Sequence, residues 1–338
     1  MIAGLCSARA TVHRDVPDAR PLRIIWERFR GANFAAKIRC DLWHGPHYTL
    51  PKALQCATVV TIHDLTFFDF PETHQRMKVA FFRRAITANT RRASRVVCVS
   101  HTTAERLTAL VAQHGPVTIA HHGVDHDRFR VNLDAAEAEI DRKILADRGI
   151  SGQYIAFVGT IQPRKALPTL TAAFASLRAD HPELRLVIAG SDGWGTSQLL
   201  DAIRAHGVAT SVIRPGYLDD ATVAALYRQA LAVAYPSLAE GFGLPALEAM
   251  ACGAPLVTSS GTAMDEFLDD AAITAPPGDA DALASALRTA FEPKQQARLR
   301  RRGPEVAADF TWSACVDTHL AAYGSAIEAL SNSPRSTR

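Results

Sequence analysis

What the 338-residue chain lacks narrows the field first. No apolar run approaches the roughly 20 residues that span a bilayer. The start, from Met1 to Arg9, has neither the basic opening nor the long apolar stretch of a secretory signal. The six cysteines, Cys6, Cys40, Cys56, Cys98, Cys252 and Cys315, include no C-x-x-C pair, so neither a disulfide framework nor a zinc knuckle is indicated. None of the thirteen histidines falls in an H-E-x-x-H motif, and G-x-S-x-G and Walker A are also missing. Charged residues at 21% and hydrophobic ones at 48% exclude the disordered and collagen-like classes. A soluble, cytoplasmic chain is expected, and one too long for a single core, so two α/β domains follow.

The net charge of +3 conceals an imbalance. Residues 1–100 hold 16 Lys and Arg against 7 Asp and Glu, a balance of +9, and the remaining residues hold 21 against 27, or −6. The densest stretch, Gln75–Arg95, carries Arg76, Lys78, Arg83, Arg84, Arg91, Arg92 and Arg95 with no acid, and shares them with Phe81, Phe82 and Ile86. It reads either as a basic amphipathic helix for an anionic membrane surface or, more plainly, as a domain helix with a solvated Arg face. No nucleic-acid motif accompanies the charge, so nucleic acid is not expected as a partner.

Short apolar runs alternate with helical patterns along the second half: Tyr154–Gly159, Leu184–Gly190, Ser211–Arg214, Ala232–Tyr235, Pro255–Thr258 and Ala271–Thr274, with helices at Ala166–Ala179, Gly195–Ala205, Ala221–Ala230 and Asp279–Ala290. This alternation predicts βαβ units and a doubly wound parallel sheet whose strand ends present backbone N–H groups to phosphate. The first half gives four strands, Asp41–His44, Thr58–His63, Arg95–Val99 and Val117–His121. Its helices lie near Arg23–Ile38, Glu72–Ala93 and Thr102–His114, the last opened by a capping box from Thr102 to Glu105. The strand-free, charge-rich stretch between Asp125 and Ile150 is the expected boundary. A first domain over 1–130, completed by a final helix at 312–330, would then be followed by a second over 145–310, with a frayed tail from Ser331.

Four segments could carry chemistry. In Pro236–Glu248, Gly241 and Gly243 permit close backbone approach, Pro245 suits a first helical turn, and Gly253 is a plausible stop. The helix start could hold a diphosphate, with Glu240 before the helix and Glu248 within it; a plain strand–turn–helix corner with two solvated acids is the alternative. In Phe157–Lys165 a strand ends at Gly159 and two cations, Arg164 and Lys165, stand at a helix start, where the dipole disfavours them unless an anion intervenes. A strand ends at His63 and Asp64, another at Trp43-His44-Gly45-Pro46-His47, and His121, His122 and His126 lie on a strand exit and loop; of these histidines only His63 rises above a structural role, by its position. Pro215-Gly216-Tyr217-Leu218 is a turn signal.

Taken in order, these segments resemble the retaining family-4 glycosyltransferases of the GT-B fold, mannosyltransferase-like members above all, from about Asp41 to Tyr323. The likeness rests on His63-Asp64, Val97–Ser100, His122-Gly123-Val124-Asp125 with Phe129, Gly159–Lys165, Gly216–Leu218, and Glu240–Glu248. The last has the E-x7-E spacing in the form E-G-F-G-L-P-x-L-E. The resemblance implies two Rossmann-like domains facing a cleft and a nucleotide diphosphate sugar as donor. Lys165 and Arg164 would neutralise its diphosphate, beside Gly159 and Thr160. Glu240, with Gly241, Phe242, Gly243 and Leu244, would face sugar and phosphate; Glu248 would bind the ribose hydroxyls; Gly216, Tyr217 and Leu218 would touch the base. His63 would face the transferred sugar, so His63, Lys165 and Glu240 are the expected catalytic residues.

The resemblance further implies hexose transfer, mannose from GDP-mannose in the first place, to a glycan or lipid-linked acceptor in cell-envelope polysaccharide synthesis. Neither metal nor cofactor is expected, and the location is cytoplasmic with peripheral contact at the inner membrane face. Thr160 stands where many members have Arg, and Ala166 where Asn is usual. Met1–Pro21 lacks the opening strand, Gly-rich turn and helix of the family, so the first domain reads as short by its first βαβ unit. That leaves a degenerate, non-catalytic nucleotide-sugar-binding or partner-binding protein as the alternative, with a nucleotide-sugar epimerase a weaker third.

Overall fold

The computed structural model describes residues 20–132 and 134–332. The expectations for the opening segment before Arg20 and for the tail beyond Asn332 lie outside the described residues. Contacts divide the chain into two units, one formed by residues 1–123 with 312–338 and the other by 124–311. No helix among the described residues is long and apolar enough to cross a membrane.

The first unit is a four-stranded parallel sheet, β1 (Leu42–Gly45), β2 (Ala57–Ile62), β3 (Arg95–Cys98) and β4 (Val117–Ile119), in sequence order. Alternation along β2 splits its side chains between two cores. Val60 and Ile62 pack with Ile86, Leu107 and Val111, whereas Ala57 and Val59 pack against Ala322 and Ala326 of the last helix, Trp312–Ser331. That helix leaves the second unit at Thr311 and completes the first. Helix α1 (Arg20–Lys37) precedes β1, α2 (Thr66–Asp69) and α3 (Arg76–Arg92) lie between β2 and β3, and α4 (His101–Leu110) follows β3. The cap of α4 is Ser100, whose hydroxyl accepts the Thr103 amide at 3.0 Å; the expected capping box from Thr102 begins inside the helix.

In the second unit β5 (Tyr154–Val158), β6 (Arg185–Ala189), β7 (Val212–Gly216), β8 (Ala232–Tyr235), β9 (Leu256–Ser259) and β10 (Ala272–Ala275) form a parallel sheet of order β10-β9-β8-β5-β6-β7. Progress from β5 to β7 runs one way and from β8 to β10 the other, so the winding reverses between β5 and β8. The carboxyl ends of the strands flanking such a reversal are where an open α/β sheet leaves a crevice for ligands.

The stretch expected to be a boundary is part of this second unit. Helix α5 (Ala135–Ala146) carries Asp141, buried and held by the Arg228 guanidinium of α8 (Asp220–Gln229) through bonds of 2.6 and 2.7 Å. Val124 bridges to Thr311, so the chain changes units at Gly123, ahead of the polar helix. Hydrophilic composition misled there because α5 buries only one apolar side chain, Leu145, beside the buried Asp141–Arg228 pair that helps dock it. The remaining helices are α6 (Leu167–Leu177), α7 (Thr196–Ala205), α9 (Leu244–Ala251), α10 (Asp265–Leu268), α11 (Ala280–Phe291), α12 (Pro293–Ala307) and α13 (Trp312–Ser331).

Candidate functional site

The strands flanking the reversal, β5 and β8, bring two sequence-distant segments together. After β5 the chain turns at Gly159 and enters a single 3-10 turn, Pro163–Lys165, which ends on Ala166 at φ +50°. Arg164 and Lys165 therefore occupy a separate turn rather than the first turn of α6, which corrects the expected helix-start placement. After β8 the chain runs through Pro236 to Glu240, and the Leu238 amide donates to the Arg164 carbonyl at 2.8 Å. That bond lays the two loops side by side.

Their side chains then converge. Lys165 Nζ donates to Glu240 Oε1 at 2.6 Å and to the Tyr235 hydroxyl, and lies 4.4 Å from the centre of the Tyr235 ring. Arg164 Nη1 donates to Glu240 Oε2 at 2.9 Å and to the Ala239 carbonyl at 3.1 Å. Lys165 and Glu240 are almost wholly buried. Burial alone would push the Glu240 carboxyl upward, but the charges of Lys165 and Arg164 overcome it and hold the group down to about 2. The anion that these cations face in this structure is thus Glu240 itself, at the position where the sequence suggested a bound ligand.

Gly243 caps α9 at φ +101°, and a side chain there would come within 2.4 Å of Met264, so only glycine fits. The Ala246 and Leu247 amides both turn back to the Gly243 carbonyl, and Pro245 has no N–H. The Gly243 and Leu244 amides are the donors left at the front of α9. Phe242 is buried against Phe267 and Phe310, and Gly241 is buried beside it. Further along α9, Glu248 is raised to about 8 by burial, with the Asp220 charge adding to it.

The neighbouring strand ends are bare backbone. A Cβ on Gly190 would fall 2.2 Å from the Gly159 carbonyl oxygen, and the Gly190 amide donates to the Gly216 carbonyl at 2.8 Å. Gly159, Gly190 and Gly216 thus line up across the ends of β5, β6 and β7. Thr160 is exposed next to Gly159, Tyr217 is 72% exposed, and Leu218 is buried. Gly190, Gly216 and Tyr217 belong to the wall of a cavity of about 420 Å³.

His63 belongs to the first unit, at the end of β2. Its Nε2 donates to the Pro46 carbonyl at 2.7 Å, and its ring stacks on His122 with centroids 5.6 Å apart. Asp64 is used locally, its carboxylate accepting the Thr66 amide and hydroxyl at 3.1 and 2.7 Å at the start of α2. His44 bonds Thr61 through Nε2 and the Tyr323 hydroxyl through Nδ1, each at 2.8 Å. Burial, with nearby His319 and His63, pushes His44 down to about 4, and burial with His63 and His319 does the same to His122. His121 packs edge-on to His101, and His126 Nε2 donates to the Phe310 carbonyl at 3.1 Å.

Two participants escaped the sequence reading. Tyr235, the last residue of β8, contacts Lys165, and the only signal was its position just before Pro236. His319 sits on α13 with Nδ1 at 2.8 Å from the Cys315 carbonyl and its ring 5.8 Å from that of His44; nothing local marks it.

Comparison with known proteins agrees with this architecture. Residues 143–306 match the family model described as Glycosyl transferases group 1, and residues 7–128 match Glycosyltransferase Family 4. The chain is 29% identical over 289 residues to O-antigen chain mannosyltransferase B of Escherichia coli, covering 83% of this chain and 74% of that protein. It is 32% identical over 321 residues to a D-inositol 3-phosphate glycosyltransferase of Stackebrandtia nassauensis, covering 89% and 68%. An enzyme of the same name from Actinosynnema mirum is 31% identical over 80% of this chain, which spans only 65% of that relative's length. Among solved structures, sucrose-phosphate synthase from Thermosynechococcus elongatus superposes with a TM-score of 0.76 at 22% identity, covering 91% of this chain and 78% of that one. HepE from Anabaena, solved with UDP and glucose, gives 0.72 at 19%, covering 87% and 82%. Both share the GT-B arrangement of two parallel-sheet units.

Proposed function

We propose, from the premise that the chain belongs to the group 1 glycosyl transferases with a family 4 segment ahead, that it moves a hexose from a nucleotide diphosphate sugar to a glycan or lipid-linked acceptor. The observation that carries the reading is the meeting of Arg164, Lys165 and Glu240 where the second sheet reverses. Two fixed cations and the α9 amides stand at the crevice where an anion would bind.

The chemistry follows from the charges. Breaking a sugar–phosphate bond builds negative charge on the departing diphosphate, so cations already in place stabilise the transition state more than the ground state. In this reading the diphosphate joins Glu240 on the Arg164 and Lys165 donors, and Glu240 keeps both cations aimed before it arrives. Glu248 would hold the ribose hydroxyls, the bare backbone at Gly159, Gly190 and Gly216 would let the nucleotide approach closely, and Tyr217 would border the base. His63 would face the sugar through the ring edge not committed to Pro46. Transfer would proceed with retention, the leaving phosphate taking the acceptor's proton, and calls on neither metal nor organic cofactor.

GDP-mannose is the proposed donor, supported by the similarity to the Escherichia coli mannosyltransferase. A lipid-linked acceptor and peripheral membrane contact would explain the charge imbalance of the first hundred residues. Calorimetric titration with GDP-mannose, UDP-glucose and UDP-N-acetylglucosamine, with donor hydrolysis followed in the same samples, tests the reading. Binding and slow hydrolysis of GDP-mannose are expected. Binding of a uridine donor alone would overturn the donor assignment, and binding of none would overturn the donor site.

A further inference from the structure

One buried polar group of the second unit has no use in the site as described. Tyr227, on α8, is wholly buried, with its ring centre 6.3 Å from that of Phe129. Its hydroxyl has no hydrogen-bond partner among the described residues. The buried Tyr154 is a contrast, because its hydroxyl donates to the Leu226 carbonyl of the same helix at 2.9 Å. A buried O–H without an acceptor destabilises a fold, and phenylalanine would fill the same space without that penalty.

Helix α8 packs on α9, which carries Glu248. Burial pushes the Tyr227 phenol well above its usual range, and Glu248 is the charged neighbour that adds most, ahead of Tyr235 and Cys252. Glu248 is partly exposed, whereas Tyr227 can approach it only from the interior. The other groups around Glu248 are committed or have the wrong charge. Asp220 is an acid that raises Glu248 further, and its own partner is Arg128. Arg228 is bonded to Asp141, and Tyr235 is engaged with Lys165. The Cys252 thiol, just past α9, is pushed up to about 12 by burial, and β9 carries no ionisable side chain. On α12, the Arg300 guanidinium is bonded to the Arg228, Ala230 and Gly253 carbonyls. Of these groups, Tyr227 keeps a donor to give.

We propose that Tyr227 is a positioning residue for Glu248. When the Glu248 carboxyl gives up its proton to solvent, the Tyr227 hydroxyl turns to donate to it. One carboxylate oxygen is then held from the inside, and the other is left for the ribose hydroxyls. The orphaned phenol is a donor in reserve: it weakens the fold while Glu248 is protonated and is used once the charge appears. The positioning role rests on the reading of Glu248 as a donor-binding residue, but the Tyr227–Glu248 bond does not.

Carboxyl NMR of the full chain with isotope-labelled glutamate tests the bond without any ligand, the Glu248 signal being assigned by its loss in Glu248→Gln. A hydrogen bond to the ionised form holds the titration midpoint down. Tyr227→Phe should therefore raise it by about one pH unit or more, a tenfold change in the ionisation equilibrium. Its urea midpoint at pH 6 should be level with the wild type or above it, because only an unbonded hydroxyl is lost. Tyr154→Phe, which removes a bonded hydroxyl, should lower the urea midpoint and leave the Glu248 titration in place. An unmoved titration in Tyr227→Phe would overturn the proposal, as would an equal shift in Tyr154→Phe, which would mean general loosening around α8. Calorimetric titration with GDP-mannose at pH 9 tests the positioning. Affinity should fall about tenfold in Tyr227→Phe, whereas in the Glu248→Gln background the same change should have no further effect. A further loss in that background would overturn the role through Glu248. Absence of GDP-mannose binding in the wild type, with the carboxyl titration shifted as expected, would count against the donor reading and leave the Tyr227–Glu248 bond standing.

Discussion

Lys165 Nζ and Glu240 Oε1 lie 2.6 Å apart in a buried pair that joins the loop after β5 to the loop after β8. Each residue is the other's main electrostatic support, so the pair should behave as a unit. Lys165→Met leaves a buried carboxylate with Arg164 alone and is expected to cost about 3 kcal/mol. Adding Glu240→Gln should recover a good part of that loss, because the uncompensated charge is gone. Urea unfolding of the two single variants and the double variant checks this. Neither Lys165→Met nor the double variant should retain donor binding, and normal transfer by Lys165→Met would refute its phosphate role.

The pair also sets an acid limit. The Glu240 carboxyl titrates at about 2 in the fold against an ordinary 4.5, so the folded state holds it ionised where the unfolded chain does not. Its contribution is complete above about 4.5 and is lost as pH falls through the folded value.

Histidines set a separate, higher window. His44 and His122 are pushed down to about 4 from 6.5, with His63 and His319 as close neighbours. Between those values the unfolded chain binds protons that the folded chain refuses, so stability falls on acidification from about pH 6.5 toward 4. The two rings are expected to contribute a loss of at least about 2 kcal/mol across that window, partly offset by the proton that Glu248 holds there. His44→Gln with His122→Gln should flatten the slope. Because Glu248 acts in the opposite direction over the same interval, the readout is the difference between wild type and this double variant, and a difference that stays constant from pH 7 to 4.5 would show that the rings are not held neutral.

Much of this was legible in the sequence. All ten strands among the described residues fall within two residues of where period and glycine punctuation place them, because a parallel strand covered on both faces is a short apolar run with few alternatives. Helix α12 was not legible: Gly303 and Pro304 are both helix-breaking residues, yet Gly303 packs closely on the Met250 backbone and Pro304 lies inside the helix, near its end. Glu240, Lys165 and Arg164 could be chosen singly, but their mutual pairing could not. It depends on β5 lying beside β8, and strand order is a tertiary fact. The C-terminal histidine His319 was hidden for the same reason.

Ala166 turns a small sequence departure into a measurable one. It follows Lys165 with φ +50°, a left-handed conformation that costs an L-residue with a Cβ about 1 kcal/mol. Glycine and asparagine tolerate that region best, and asparagine is the residue the resemblance leads one to expect there. Ala166→Gly should therefore stabilise the protein by about 0.5–1 kcal/mol without moving the Arg164–Lys165 turn. Differential scanning calorimetry gives the stability, and donor titration shows whether the turn has stayed. Destabilisation would mean that the methyl group's packing outweighs its backbone strain.

Glu248 gives the sharpest test of a stability–function conflict in the candidate site. Burial, with Asp220 adding to it, raises its carboxyl to about 8, so the folded state holds a proton that the unfolded chain releases near 4.5. Stability is accordingly lost as pH rises across that interval, and above about 8 the fold carries a buried carboxylate with no cation bonded to it among the described residues. Glu248→Gln keeps the shape and removes the charge, and should stabilise the protein at pH 8 by roughly 1–2 kcal/mol. If the ionised group accepts the ribose hydroxyls, donor affinity in the wild type should climb from pH 7 to 9, and the glutamine variant should bind weakly with a flat profile. A variant that is more stable and binds as tightly as the wild type at pH 9 would leave Glu248 without a role in donor binding.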